Sequence, residues 1–227
     1  MPTIALVGAG TRLGLSLGRV FGKRGFDVAL VARSAEGLDE LAEKLAAEGV
    51  KAAGFPADVT DRPTLIAALH RAAARFGGIE VLQYSAPYMH VGDTGMTGVL
   101  DVTVDNLRPQ VEAPCYGAIT ATRAVLPAMV AAGAGTLLYT TGASAVAPTP
   151  WAGSAGAAGA ALRNWAINLN GALADQGVYV GYVAIGAWIV GTPGTPEDAS
   201  PMDPDDIADV HWDMHIARNP AERLITP

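Results

Sequence analysis

The chain has 227 residues, half of them hydrophobic, with a net charge of −7 and a pI near 5.0. That is enough apolar material for one substantial core. Clustered positive charge for nucleic acid is lacking, since phosphate binding needs grouped Lys and Arg and the three lysines all lie at or before Lys51. The single cysteine, Cys115, excludes an internal disulfide and any multi-cysteine metal site, and agrees with a reducing, cytoplasmic setting.

In chain order, residues 3–9 (TIALVGA) read as a short buried strand, and 12–25 repeat Leu13, Leu17, Val20 and Phe21 at helical spacing. The start carries no basic region of a secretion signal. Further strands are expected at 27–32, 51–55 and 79–84, with helices at 35–48 and 61–75 between them. A long helical region follows over about 105–132, then a strand at 135–141, a helix over about 152–175 and a strand at 178–185. A helix over about 205–217 and a short strand near 223–225 close the chain. The apolar stretch 124–146 is divided by Pro127, Gly133, Gly135 and Gly142, so no membrane span is expected there.

Strands alternating with helices imply an α/β fold: a Rossmann-type, doubly wound parallel sheet of about seven strands with helices on both faces. One domain, 1–227, is expected, with a lid-like segment near 187–217 that includes the Pro-rich stretch 191–206. Ligands of such sheets sit at the carboxyl ends of the strands.

The first turn, Gly8-Ala9-Gly10-Thr11-Arg12-Leu13-Gly14, stands between the first strand and the first helix. Glycines there permit a tight turn and close approach of backbone to a pyrophosphate, which the helix N-terminus stabilises. The alternative is a tight turn with close packing and no ligand. At the end of the second strand, where NAD sites place an acid, the chain has Ala32, Arg33 and Ser34. Arg33, with Arg12 in the loop, suits a 2′-phosphate, which favours NADP(H) over NAD(H). The alternative for Arg33 is a solvated surface side chain.

With VGAGTRLG at 7–14, ADVTD at 57–61, IEVLQYSAP at 79–87, GAITATRAVLPAM at 117–129 and GTLLYTTG at 135–142, the sequence resembles the classical short-chain dehydrogenase/reductase family over essentially its whole length. The resemblance implies cofactor contacts at Gly8, Gly10, Thr11, Arg12, Leu13, Gly14, Arg33, Ser34, Asp58, Val59, Ser85 and Ala86. It also implies an Asn-Ser-Tyr-Lys tetrad, but the matching positions here are Pro114, Gly142, Ala155 and Gly159. No lysine follows Lys51, so realignment does not restore the tetrad. Arg12 stands where the family's loop has its middle glycine, and Ala187-Trp188 where Pro-Gly is usual.

Losing the proton donor costs about 10²–10⁴ in rate, and losing an oxygen-stabilising donor about 10²–10³ more, without simple additivity. A substrate pocket is expected at Gly142, Trp151, Ala155 and Trp188, apolar and suited to a bulky small molecule. The alternative is that Gly156 and Gly159 admit another helix, as at the subunit interfaces the family forms. A homodimer or homotetramer is the expected assembly.

No catalytic residue is assigned; Tyr88 and His90, in a loop with Asp93, are candidates for proton donation, with simple solvation as the alternative. Tyr116 is a further candidate, against a role in helix packing. His211 and His215 lie one helical turn apart and could hold a metal with Asp213, but no third ligand is evident, and a lid helix with polar faces is preferred. Pro114 either kinks a helix by freeing the Gln110 carbonyl or begins one. Three functions fit this pattern. They are an NADPH-dependent reductase of a preactivated substrate such as an iminium, a non-redox isomerase or cyclase, and a non-catalytic NADP-binding or regulatory protein.

Overall fold

The computed structural model describes residues 1–86, 96–192 and 195–227. Unbroken aliphatic runs make β1 (Thr3–Val7) and β2 (Asp27–Val31) buried at every position, as strands covered on both faces must be. They belong to one seven-stranded parallel sheet ordered β3-β2-β1-β4-β5-β6-β7, where β3 is Ala52–Gly54, β4 Val81–Tyr84, β5 Gly135–Gly142, β6 Val178–Ile185 and β7 Glu222–Ile225. Strand order reverses between β1 and β4, which places the binding edge just beyond Val7 and Tyr84.

Alternation along the strands assigns the two cores. Ile4, Leu6, Leu138 and Val183 face α1 (Leu13–Gly22), α2 (Ala35–Ala47) and α7 (Pro204–Ala217). Ala5, Val7, Leu137 and Tyr139 face α3 (Arg62–Phe76), α5 (Gly117–Ala132) and α6 (Gly153–Leu173). Leu17 and Phe21 on α1 are wholly buried, each stabilising the fold by about 1.5–3 kcal/mol relative to exposure. The expected strand at 79–84 starts only at Val81, because Gly77 and Gly78 hold positive φ angles of 90° and 148°.

The long helical region is continuous but not uniform. Between α4 (Val104–Val111) and α5, the residues Glu112–Tyr116 form a π turn. The Gly117 amide donates to the Glu112 carbonyl instead of the Ala113 carbonyl that a regular α turn would use. The freed Ala113 carbonyl accepts the buried Tyr84 hydroxyl at 2.5 Å. A Cβ at position 117 would strike that hydroxyl, so glycine is required there. Pro114 therefore neither begins a helix nor breaks one; it sits inside the widened turn.

By length and composition, the run 104–132 could cross a membrane. In this fold, Ala118, Ala121, Thr122, Val125 and Met129 are instead buried in the core against the sheet and α3.

The final helix corrects the expectation of a polar-faced lid. α7 packs on α1 and the sheet, and His211 is wholly buried. His211 Nδ1 lies 2.8 Å from the Ile207 carbonyl, which can only accept, so Nδ1 carries the proton. Nε2 must then accept from the Thr140 hydroxyl at 2.7 Å, and Thr140 in turn accepts from Gln83 Nε2 at 3.2 Å. His215 meets Thr136 at 2.9 Å, while Asp213 is exposed. Among the described residues, no group of His, Cys, Asp and Glu is placed to hold a metal.

Burial pulls the His211 pKa down to about 4, only partly offset by the bond to Ile207. In the unfolded chain the residue titrates near 6.5, so between these values the unfolded chain binds more protons and stability rises with pH. We expect His211 to contribute stability that is full above about pH 6.5 and declines by about 3 kcal/mol as pH falls toward 4. Urea unfolding across this range should show a shallower pH slope in His211→Gln, and an identical slope in both proteins contradicts the assignment.

Candidate functional site

At the binding edge, the chain turns out of β1 at Gly8, whose φ is +88°. The Gly8 and Ala9 amides both donate to the Val31 carbonyl, at 2.9 and 3.1 Å. A Cβ on Gly8 would lie 2.5 Å from the Ser85 carbonyl oxygen, so the glycine loop and Ser85-Ala86 are in backbone contact. The Ser85 amide donates to Val7 at 2.9 Å and holds that contact in register. Gly14 packs on Ala9, with 3.0 Å between its would-be Cβ and the Ala9 Cα. By contrast, no described residue lies within 4 Å of a Cβ on Gly10. No side chain caps the start of α1, and its first turn has no acidic residue. Leu13 packs partly buried against the core, and the loop at Gly10 presents open space beside the positive end of a helix.

Beside it, Arg33 is exposed at the end of β2 and makes no ion pair among the described residues. Ser34 accepts the Gly37 amide at 3.0 Å and caps α2, a role the glycine-loop reading does not anticipate. Asp58 accepts the Thr60 amide at 2.8 Å and the Thr60 hydroxyl at 2.7 Å. Those two bonds, with a smaller effect of the Arg33 charge, hold its carboxyl below the usual range. Val59 packs partly buried against the core next to it. Arg12 does not extend toward β2: its Nη1 donates to the Gly191 carbonyl at 3.3 Å, in the segment that follows β6.

The positions aligned with the family tetrad are without acid or charge. Pro114 is buried in the π turn. Gly142 ends β5 with space around it, the Ser144 hydroxyl being 3.9 Å from a would-be Cβ. Ser144 escapes the sequence reading; its signal is a hydroxyl two residues beyond the vacant position. Ala155 is only 1% exposed, so its methyl lines no open pocket. Gly159 is buried, and its carbonyl accepts the Tyr182 hydroxyl at 3.5 Å. Tyr182 also meets the Thr141 hydroxyl.

Ser154 is occupied elsewhere, exchanging bonds with Thr97 through its Oγ (2.9 Å) and its amide (3.1 Å). A Cβ on Gly156 would stand 3.0 Å from the Ser144 carbonyl, so this glycine admits a turn of its own chain.

Trp151 and Trp188 are 64% and 40% exposed. Tyr116 is also exposed, under the Arg62 guanidinium, rather than packed between helices. Clefts of about 200 and 250 Å³ lie beside α3, α4 and α5, lined by Thr60, Arg108, Pro109 and Glu112 in one and by Tyr116 with Arg62, Ile119 and Thr120 in the other. The candidates Tyr88, His90 and Asp93 lie outside the described residues.

The family model for short chain dehydrogenases matches residues 2–199. The chain belongs to that family. It is 26% identical to the glycine betaine reductase ATRR of Emericella nidulans, over 98% of this chain but only 18% of that protein. An uncharacterized oxidoreductase of Staphylococcus aureus (strain N315) is 28% identical over 91% of this chain and 87% of its own. Among solved structures, an actinorhodin polyketide ketoreductase with NADPH superposes with a TM-score of 0.86 at 23% identity, covering 98% of this chain and 95% of that one.

Substitutions should separate the intact edge from the eroded one. Gly8→Ala meets both a left-handed φ and a backbone clash, and should cost more than about 2 kcal/mol. Gly142→Ser should lie within about 0.5 kcal/mol of the parent, since its Cβ enters open space. Ala155→Tyr overfills a buried site and should cost about 1–3 kcal/mol. Denaturant midpoints of the three variants check this order.

Proposed function

We propose that this protein is an NADP(H)-dependent oxidoreductase that acts on a preactivated, electron-poor small molecule, such as an iminium, without Tyr/Lys acid catalysis. The observation that carries this reading is a contrast along one sheet edge. Gly8 and Ser85-Ala86 form a close backbone cradle, while Pro114, Gly142, Ala155 and Gly159 hold no proton donor.

In this reading Gly8, Gly10, Thr11, Leu13 and Gly14 line the diphosphate site, and Ser85-Ala86 flanks it. Arg33 and Ser34 receive the 2′-phosphate, and Asp58 with Val59 borders the adenine. The cofactor supplies a hydride when bound. Without a lysine on the nicotinamide ribose, affinity forgoes a charged hydrogen bond of about 1.5–3 kcal/mol.

A substrate carbon that already carries positive charge needs no proton on a neighbouring oxygen. The exposed faces of Trp151 and Trp188 suit such a cation, as does a protein of net charge −7. Ser144 offers a hydroxyl for orientation. Its role is that of a hydrogen-bonding partner, since an ordinary serine is too weak an acid to replace the tyrosine. A cytoplasmic homodimer or homotetramer accords with this reading.

Titration with NADPH and NADH should show preference for NADPH, and Arg33→Ala should reduce that preference about tenfold or more. Preformed cyclic iminium ions should be reduced with loss of nicotinamide absorbance, and simple ketones should be turned over at least about 10²-fold more slowly. Conversion of a substrate without that loss of absorbance would instead indicate an isomerase or cyclase.

A further inference from the structure

Among the described residues, the Arg12 guanidinium has no carboxylate partner. Arg19, two turns further along α1, is tied to Glu48 and Asp205 at 2.8 and 3.1 Å, and Lys23 also reaches Glu48. Arg12 makes no ion pair among the described residues, although the chain carries seven more acidic than basic groups. Among the described residues, its hydrogen bond is from Nη1 to the neutral Gly191 carbonyl and spans 179 positions of sequence. A guanidinium has five N–H donors in a planar fork, so this contact leaves most of its capacity unused.

The far end of the contact is held firmly. Gly191 lies in a turn closed by the Thr192 amide on the Ile189 carbonyl, with a φ of +81° that glycine tolerates. Ile189 and Met202 form a bridge, with Val190 donating to Met202 at 3.0 Å and Met202 to Trp188 at 2.8 Å. Arg12 therefore ties the glycine loop to an anchored part of the segment between β6 and α7, and Gly10 has open space on the same loop. That segment approaches from the β6 side of the sheet, whereas Arg33 follows β2, on the other side of β1.

We propose that Arg12 is a strap over the cofactor diphosphate: it keeps the Gly191 carbonyl on one arm of the fork, binds a phosphate oxygen with the other, and takes no part in recognising the 2′-phosphate. The inference rests on the cofactor reading above and assigns this arginine a role different from that of Arg33. It makes the tie between the glycine loop and the turn at Gly191 tighter when the diphosphate site is occupied.

The test uses Arg12→Gly, which puts back the glycine that the family resemblance leads one to expect and so leaves the loop able to form; thermal unfolding checks the fold. NADPH and NADH are titrated by nicotinamide fluorescence into the parent protein, Arg12→Gly and Arg33→Ala. Arg12→Gly should weaken both nucleotides by about tenfold or more with their affinity ratio unchanged, while Arg33→Ala should change the ratio. Cleavage by a glutamate-specific protease after the exposed Glu197 gives a second readout. Saturating NADPH should slow it in the parent and have little effect in Arg12→Gly.

Equal affinities in the two proteins, tighter binding by Arg12→Gly, or a loss confined to NADPH would overturn the strap and leave the cofactor reading standing. Failure of the parent to bind either nucleotide would overturn both.

Discussion

The backbone contact between Gly8 and the Ser85 carbonyl is the constraint on which the binding edge depends. β1 and β4 are neighbours in the sheet, and their continuations must part there if a ligand is to reach the start of α1. With no Cβ at position 8, the two chains stay in contact as they diverge, while two amides of the turn remain fixed on Val31. Open space then begins two residues later, around Gly10. A single side chain at position 8 would push Ser85 away and unseat the loop from the start of α1.

Toward β5 and α6, Gly142, Ala155 and Gly159 carry no acid or base, and this follows from packing as much as from residue type. Ala155 and Gly159 are buried beneath their own fold, with Tyr182 reaching Gly159 from below and Ser144 closing against Gly156 from above. The first turn of α6 is thus filled by small residues and the backbone of the turn after β5. A phenol added at Ala155 would have to displace that packing, so the eroded positions and the tight turn at Ser144 are parts of one arrangement.

Features set by a residue's own geometry are legible in the sequence; those set by a distant partner are not. The glycine loop and the sheet follow from local rules, since positive φ, close approach and aliphatic strand runs are properties of the residues themselves. The π turn is hidden because it depends on the Tyr84 hydroxyl, 29 positions from Ala113. The HWDMH pattern suggests a polar surface because two histidines and an aspartate are polar as residue types. Only Thr136 and Thr140, more than 70 positions away, give the histidines their hydrogen-bond partners, His211 fully buried and His215 partly so. Ser144 is missed for a related reason: a hydroxyl displaced by two residues matches no spacing, and only the fold shows it beside the vacant Gly142.

Charge placement links these halves of the site. The protein is acidic overall, yet among the described residues neither Arg12 nor Arg33 is paired with a carboxylate. Leaving a guanidinium without a direct ion pair is cheap at an exposed position, because water solvates it, and such a group stays available to an anion. In the proposed reading the two arginines, one before α1 and one after β2, serve two different phosphate positions. Beyond Gly142 the described surface turns uncharged and aromatic, with Trp151 and Trp188 open to solvent. The proposed function follows from that contrast among the described residues: arginines where phosphates would lie, and exposed tryptophans where the substrate would lie, suit an electrophile that brings its own positive charge. The weaker the acid the protein supplies, the more of the activation must already reside in the substrate.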